Sequence, residues 1–398
     1  IDNGLRIDDS IGVLSDGQTV YASTDRLTVA SNRYPEWDWR TGQLIGDDDD
    51  HTTSLHSFDI TDPTKTNYVA SGSVPGSLLS QYSLSEHDGM LRVATTEGSA
   101  WERDQQSQSM VTVLDEQGSD LVAIGMVDGL GKGEQIFSVR FMADIAYVVT
   151  FRQIDPLYTV DLSDPTNPRV LGELKIPGFS TYLHPVGDGM LLGVGQDATD
   201  EGRTTGSQVS LFDVSDLANP ARVDQLGFGE NSYSSVDWDP KAFLYWGERK
   251  LAVIPVSSWD FDEETGEEGN ASTAVLVQVN DDGSLTELGR IGHPVTTDCE
   301  TYEFEPEPIE EDLPTTTIAD DETVDAEAGF VDDEPVDAIV EPTPESRPSV
   351  EEYCWTYQPE ILRSIIIGDS IYTVSDAGVN VTSLDGLDTV SWVPFAQR

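Results

Sequence analysis

The chain has 398 residues, of which 74 are acidic and 21 are basic, so its formal net charge is −53 at pH 7. A field of that sign repels phosphate backbones and anionic headgroups, which excludes nucleic acid and anionic membranes as partners. No apolar run approaches the roughly 18 residues that cross a bilayer, so we predict no membrane span.

A short phrase of the form Asp-x-Ser/Thr-Asp recurs along the chain at a period of about 50 residues, which indicates a repeat architecture. An alternating strand ends in the first Asp, whose side chain accepts backbone N–H bonds in a turn, and a second strand follows. The clear copies are 59–63, 161–165 and 213–217, and the weaker ones are 113–116, 279–282 and 383–386.

Two more strands around an Asp or Gly turn precede each hairpin, so one period holds four antiparallel strands, as in a propeller blade. In chain order the inner turns fall near Asp16, Asp88, Asp144, Asp188, Lys241 and Asp369. Blades one and five contain an extra apolar segment, at 27–30 and 251–256, which leaves their strand boundaries open.

We therefore predict an all-β fold, a β-propeller of six four-stranded antiparallel blades in one domain, 1–398. The alternative is a fragment of a seven- or eight-bladed ring, because residues 5–15 read as the last strand of a blade that began upstream. In the closed ring, residues 5–14 would pair with 390–394. No long helical period interrupts the pattern.

Residues 300–352 form the one obvious insertion, and they are rich in Asp, Glu and Pro. Such a segment buries too little apolar surface to order itself, so we predict a disordered acidic insertion. Cys299 and Cys354 flank it, which predicts a disulfide; two reduced, buried thiols are the alternative. A stable disulfide indicates an oxidising compartment, and hence an extracellular or cell-surface protein.

Aligning the inner strands on their turns gives two rows of residues that share one face and point towards the central channel. The rows are Gly12, Leu84, Arg140, His184, Asp237 and Ile365, and Ser10, Tyr82, Ser138, Tyr182, Ser235 and Arg363. We take Arg140, His184, Asp237, Tyr182 and Arg363 as a candidate channel site for a small polar ligand or for acid–base chemistry. The alternative is a hydrogen-bonded network between blades.

Familiar catalytic signatures do not occur: there is no Gly-x-Ser-x-Gly elbow, no Gly-rich nucleotide loop and no His-Glu-x-x-His. Two acidic stretches, 47–51 and 260–266, would attract cations. The second fails the EF-hand pattern because its Gly stands at the seventh place instead of the sixth. We expect no cofactor and a solvated acidic surface; calcium binding is the alternative.

The most distinctive sequence lies within 140–215, where 147–158 leads into the 161–165 phrase and continues through 172–180, 182–185 and 193–197. It resembles the family of secreted bacterial and archaeal proteins with a C-terminal β-propeller domain, and its hairpins look like the LVIVD repeats of prokaryotic surface proteins. The resemblance covers about 20–391 apart from the acidic insertion. It implies secretion or surface attachment, and it carries over no catalytic residue.

Two functions follow from these observations. The first is a secreted or cell-surface, non-catalytic β-propeller that acts as a monomeric binding scaffold for a protein or glycan partner. The alternative is a calcium-dependent propeller hydrolase or lyase with its site at the mouth of the central channel. It requires either a bound metal or a clustered, water-accessible His184 and Asp237. The acidic, lysine-poor composition is halophilic-like.

Overall fold

The computed structural model describes residues 12, 16–33, 36–38, 40–41, 43–45, 51–98, 107–152, 155–199, 202–261, 268–304 and 349–396. Within those ranges the regular elements are β-strands and short 3-10 turns, and there is no α-helix. The chain separates into two compact units, the larger made of 1–294 and 358–398 and the smaller of 295–357.

The larger unit consists of antiparallel meanders of four strands that follow one another along the chain. The first meander is β1 (Thr19–Ala22), β2 (Arg26–Arg33), β5 (Thr52–Asp59) and β6 (Asn67–Pro75), with a separate hairpin of β3 (Glu36–Asp38) and β4 (Gln43–Ile45) between β2 and β5. The second is β7 (Leu84–His87), β8 (Met90–Glu97), β9 (Gln108–Gln117) and β10 (Asp120–Leu130). One parallel bridge, between Asp120 and Ser71, joins these two meanders into an eight-stranded sheet.

The remaining meanders repeat this arrangement in chain order. The third is β11 (Gln135–Met142), β12 (Ile145–Phe151), β13 (Asp155–Asp161) and β14 (Arg169–Ile176), and the fourth is β15 (Phe179–Gly187), β16 (Met190–Ala198), β17 (Thr204–Asp213) and β18 (Ala221–Gly227). The fifth is β20 (Leu244–Trp246), β21 (Leu251–Phe261), β22 (Glu268–Val279) and β23 (Leu285–Gly292), with β19 (Ser232–Tyr233) also pairing with β21. The sixth is β26 (Arg363–Ile367), β27 (Ser370–Val374), β28 (Gly378–Ser383) and β29 (Thr389–Pro394).

Burial explains the difference between inner and outer strands. The middle strand β16 carries the near-continuous apolar run Leu191, Leu192 and Val194, all 0% exposed, because both faces of a meander are covered. The outer strand β14 alternates between more and less exposed positions, since one face meets solvent. Together with the strand order, this confirms the predicted all-β fold of four-stranded antiparallel meanders.

Each apolar core joins one meander to the next. Leu55 and Ala70 of the first pack with Leu91 and Leu114 of the second, and equivalent clusters follow along the chain. The other cores link meanders two and three, three and four, four and five, and five and six. Successive meanders thus pack face to face.

The predicted hairpin turns form as the Asp-x-Ser/Thr-Asp phrase requires. Asp161 Oδ1 accepts from the Ser163 amide at 2.9 Å and from its hydroxyl at 2.6 Å, and Asp164 Oδ1 accepts from the Thr166 amide at 3.0 Å. The same bonds recur in the first and fourth meanders. The repeated phrase is therefore a turn that supplies its own acceptors.

These turns dock on the preceding meander at glycines of its outer strand. A Cβ on Gly125 of β10 would lie 2.8 Å from Pro168 Cδ, and one on Gly172 of β14 would lie 2.8 Å from Pro220 Cδ. Gly72 of β6 makes a similarly close contact, but with Leu121 in strand β10 of the second meander. Glycine is needed at these positions because another backbone approaches closely.

Four of the predicted inner turns are confirmed and two are wrong. Asp88, Asp144, Asp188 and Asp369 lie between the first and second strands of their meanders. The turn assigned to Asp16 lies instead between Ala22 and Arg26, because 27–30 belongs to β2. The turn assigned to Lys241 lies at Gly247–Arg249, where Lys250 is left-handed with φ of 49°, so 251–256 begins β21.

The smaller unit contains an antiparallel pair, β24 (Thr296–Phe304) and β25 (Ser349–Tyr357). Its strands extend into both ends of the predicted 300–352 insertion, and 305–348 lie outside the described residues. Cys299 and Cys354 are direct register partners, although their side chains lie outside the described part. The predicted pairing of 5–14 with 390–394 is not tested, because residue 12 is the one residue of 5–14 that the structure describes.

Candidate ligand-binding site at the inner strands

Tyr82, in the short turn Gln81–Ser83 before β7, lines three neighbouring cavities. The Arg140 cavity has a volume of about 330 Å³ and is lined by Tyr21, Ala22, Gln81, Tyr82, Leu84, Ser85, Arg140 and Phe141. The Asp237 cavity, also about 330 Å³, includes Ser138, Thr181, Tyr182 and Asp237. The third, about 310 Å³, extends to Asp239 and Lys241. Three small cavities, each open to solvent, thus lie around one tyrosine.

Arg140 is the charged residue of the first cavity. It lies on β11 opposite Tyr147 and is half-buried. Its Nε is buried without a hydrogen-bond partner, and its guanidinium forms no ion pair with the described part of the chain. A guanidinium that lacks an internal acceptor is available to a ligand.

Tyr182 and His184 lie on the same face of β15, two residues apart, and Tyr182 Oη is 3.1 Å from His184 Nδ1. The His184 ring also packs at 5.0 Å from Phe243 and at 5.3 Å from Tyr245, between ring centroids. Burial, and then the nearby charge of Arg140, lower the pKa of His184 to about 4. His184 is therefore neutral near pH 7 and part of an aromatic layer.

Asp237 occupies a different environment, in the 3-10 turn Ser235–Asp237. Thr181 Oγ1 donates to its Oδ1 at 2.7 Å, and Gln196 Nε2 donates to its Oδ2 at 2.8 Å. Burial raises the pKa of Asp237, and these two hydrogen bonds oppose the shift. A bulge in β15 between Ser180 and Tyr182 lets the consecutive Thr181 and Tyr182 both line the Asp237 cavity.

Arg363 is engaged elsewhere. Its Nη2 lies 2.6 Å from Asp239 Oδ2, in an ion pair between the sixth and fifth meanders, and its Nη1 donates to the Leu362 carbonyl at 2.6 Å. The structure therefore brings Arg140 near Tyr182 and His184, places Asp237 on Thr181 and Gln196, and pairs Arg363 with Asp239.

Among the described residues, no group of three or more His, Cys, Asp or Glu side chains is arranged to hold a metal ion. The acidic stretch 47–51 lies outside the described residues apart from His51, and 260–266 is described only for the backbone of 260–261. Within the same part of the chain, no helix has the length and apolar character that a membrane crossing requires.

Comparison with known proteins decides the family, because the model of the Beta propeller domain matches residues 2–387. The chain belongs to the Beta propeller domain family. It is similar to an uncharacterized protein of Methanocaldococcus jannaschii, with 45% identity over 192 residues, or 47% of this chain and 28% of the relative. It is also similar to one of Archaeoglobus fulgidus, with 42% identity over 183 residues, or 46% of this chain and 27% of the relative.

The matched region thus spans little more than a quarter of either curated relative, 28% and 27%. Among solved structures, the chain is similar to the periplasmic gluconolactonase of Pseudomonas aeruginosa, with a TM-score of 0.43 and 10% identity, over 96% of this chain and 86% of that one.

Several residues of this propeller's inner face escaped the sequence analysis. Tyr245, opposite Ala252 in the β20–β21 pair, lies beside His184, and Phe243 packs on both Tyr182 and His184. Both were missed because the fifth inner turn was assigned to Lys241. Tyr21, on the first strand β1, was missed for the same reason, since the turn was assigned to Asp16. The continuous apolar run at 251–256 was the signal that could have placed the fifth turn before Leu251.

Proposed function

We propose that this β-propeller is a non-catalytic binding scaffold that is secreted or displayed at the cell surface. The carrying observation is that the two groups that acid–base chemistry would use are held apart: His184 bonds to Tyr182, while Asp237 bonds to Thr181 and Gln196. Arg140, by contrast, faces a cavity with no internal partner in the described chain. Such a constellation suits recognition better than proton transfer.

We further propose that the ring has six blades. Six four-stranded antiparallel meanders in the described residues support this number, as do the apolar cores that join each meander to its successor. The larger ring with seven or eight blades would place additional meanders outside these residues.

An extracellular or cell-surface location is supported by the register of β24 and β25. Directly opposed residues in an antiparallel pair have Cα atoms about 4.5–5.5 Å apart, within the range that a disulfide bridges. Cys299 and Cys354 are opposed in this way. Because disulfides persist in oxidising compartments, this pairing favours export.

The inner face also suggests the type of partner. Tyr82 packs edge-on against Tyr182 at 5.8 Å between ring centroids, and Tyr182 packs at 5.3 Å from Phe243. Aromatic rings beside polar groups can bind the apolar and hydroxylated faces of a sugar or the side chains of a peptide. We propose a glycan or protein partner, bound by a monomer.

The geometry favours this role over a calcium-dependent hydrolase or lyase, because the neutral His184 and the hydrogen-bonded Asp237 share no hydrogen bond. A thermal melt in EDTA and in millimolar calcium, at matched ionic strength, separates the two. We expect the two melting temperatures to agree within about 1 °C. A large rise with calcium would indicate a specific site and favour the hydrolase.

The scaffold role is tested with wild type, His184→Asn and Asp237→Asn on panels of ester, lactone, glycoside and polyuronide substrates, and on an array of glycans and surface proteins. We expect retention of a partner on the array and no turnover above background. Turnover by wild type that both variants lose, with their circular dichroism spectra unchanged, would overturn the proposal. Arg169→Gln, on an outer hairpin, is the matched surface control.

A further inference from the structure

We propose that the Arg140 cavity binds the carboxylate group of a small organic acid. This inference rests on the scaffold function and names the ligand class of its inner face. It begins from the charge of the cavity wall: of the lining residues, Arg140 alone is charged, and none is a carboxylate. In a chain with 74 acidic residues against 21 basic ones, a wall with only positive charge is a pronounced exception.

Five arginines elsewhere in the described chain have the partner that this guanidinium lacks. Arg26, Arg169, Arg249, Arg290 and Arg363 each lie within ion-pair distance of a carboxylate. Arg140 has no such partner in the described chain, and its buried Nε has no acceptor. That Nε is closed to solvent and therefore to a ligand as well. The ligand oxygens would instead meet the terminal nitrogens of the guanidinium, which form no hydrogen bond with the described chain and belong to a residue that lines the cavity.

A second guanidinium stands behind the cavity wall. Arg92 is only 5% exposed, its Nη2 donates to Ser85 Oγ at 2.6 Å, and its Nη1 donates to the Ala143 carbonyl. It too has no carboxylate within ion-pair distance among the described residues. Its charge acts on Ser85, which lines the cavity, and is opposed by the more distant carboxylates of Asp144 and Asp88.

The hydroxyl groups of the wall have hydrogens that are free to donate. Ser85 Oγ accepts from Arg92, and Tyr21 Oη accepts from the Glu86 amide at 2.9 Å. Neither hydroxyl has an acceptor for its own hydrogen within the described chain, so each can donate to a ligand. Arg140, Ser85 and Tyr21 thus present donors to one space.

The match to a carboxylate follows from shape and size. A guanidinium offers two parallel N–H donors that fit the two oxygens of a planar carboxylate, and the hydroxyl groups can complete its shell. Tyr82 and Phe141 provide an aromatic wall for the body of the ligand. A volume of about 330 Å³ lies at the small end of ligand pockets, which suits a compact organic acid.

Calorimetric titration with sodium acetate, sodium succinate and sodium D-glucuronate tests the proposal, with D-glucose as the neutral counterpart and ionic strength held constant. We expect at least one of the three carboxylates to bind wild type with one site per chain, and glucose not to bind. Binding by none of the three would overturn the proposal. Binding of sulfate or phosphate alone would overturn the assignment to a carboxylate.

The variants locate the site. Arg140→Gln should weaken binding about tenfold or more, whereas Arg169→Gln, which alters an exposed hairpin arginine, should stay within about twofold of wild type. If Arg140→Gln does not fold, Arg140→Lys keeps the charge and loses the paired donors, and it should also bind about tenfold more weakly. Unchanged affinity in the folded variant would overturn the proposal. Turnover that depends on His184 would instead overturn the scaffold function and leave this titration unaffected.

Discussion

Gly172 of β14 lies against the backbone of Leu217, in the hairpin turn of the next meander, so closely that no side chain fits between them. Thr159 reinforces the same contact, because its Oγ1 donates to the Leu217 carbonyl at 2.5 Å. The contact joins the third blade to the fourth through backbone and short polar groups, outside the apolar core that the two blades share.

Gly172→Ala should therefore destabilise the protein by about 1–3 kcal/mol, the usual effect of forcing atoms into a filled space. A Cβ there would meet Pro220 Cδ at 2.8 Å. Urea unfolding at pH 7 measures the loss. The matched control is Gly227→Ala on β18, where nothing lies within 4 Å of a new Cβ, and we expect no loss or a gain of about 0.4–1 kcal/mol. Equal midpoints for the two variants would contradict the docking.

Asp161→Ala should lower the melting temperature at pH 7 by about 2–4 °C. The hydrogen bonds from Ser163, and then the one from Arg169, hold the pKa of Asp161 below its ordinary 3.8. A carboxylate of lowered pKa contributes stability above its ordinary value, and the contribution is lost as pH falls through the lowered value. The difference in stability between Asp161→Ala and wild type should thus become smaller below about pH 3.8. Urea midpoints of both proteins at pH 7, 4 and 3 measure that difference.

Arg169→Gln is the control that separates two contributions of Asp161. It removes the ion pair with Asp161 but keeps the hydrogen bonds that Ser163 donates to Asp161. It should lower the melting temperature less than Asp161→Ala. A larger loss than that of Asp161→Ala would mean that the ion pair, and not the turn, holds the hairpin.

His184 should not titrate between pH 8 and pH 5 in a histidine NMR experiment, because burial and Arg140 lower its pKa to about 4 from the usual 6.5. Unfolded chains take up a proton near pH 6.5 and the folded protein does not, so this residue weakens the fold progressively as pH falls from about 6.5 towards 4. His184→Asn should show a smaller fall in melting temperature between pH 7.5 and pH 5. An imidazole resonance of His184 with a midpoint near 6.5 would contradict the buried placement.

Cys299 and Cys354 should form a disulfide in protein exported to an oxidising compartment. In the untreated protein, non-reducing peptide mapping should recover the two cysteines in one cross-linked peptide. Closing a loop of this length contributes about 4 kcal/mol in the chain-entropy model, so reduction should make the β24–β25 pair more sensitive to protease. Alkylation of both thiols without reductant would contradict the bridge, and the double variant Cys299→Ser, Cys354→Ser gives the reduced reference.

The repeat phrase made the outer hairpins predictable, because Asp161 and Asp213 satisfy their turns with local hydrogen bonds that depend only on neighbouring residues. The fourth inner turn was equally predictable, because Asp188 stands between two glycines. In the structure Asp188 adopts a left-handed φ of 51°. Local chemistry of this kind is carried by the sequence alone.

The inner site was harder to predict, because its contacts join distant residues. Lys241 resembled a turn residue beside Pro240, yet both lie in a 3-10 turn that precedes β20, and the strand pairing begins at Leu244. Because the turn was predicted too early in the chain, Tyr245 was left out of the predicted row and Asp237 was wrongly aligned with His184. Spacing within one blade could not reveal that Asp237 hydrogen-bonds to Thr181 of the preceding blade.

The hairpin turns of the third and fourth meanders each dock on the blade before them, so these neighbouring blades depend on each other. Gly125 receives the turn of the third meander and Gly172 that of the fourth, so a blade is completed by its successor. Damage to the turn at 214–220 therefore exposes the outer edge of the third blade as well as its own. Because each contact stabilises both partners, loss of structure in either blade should raise hydrogen exchange at the edge of its neighbour.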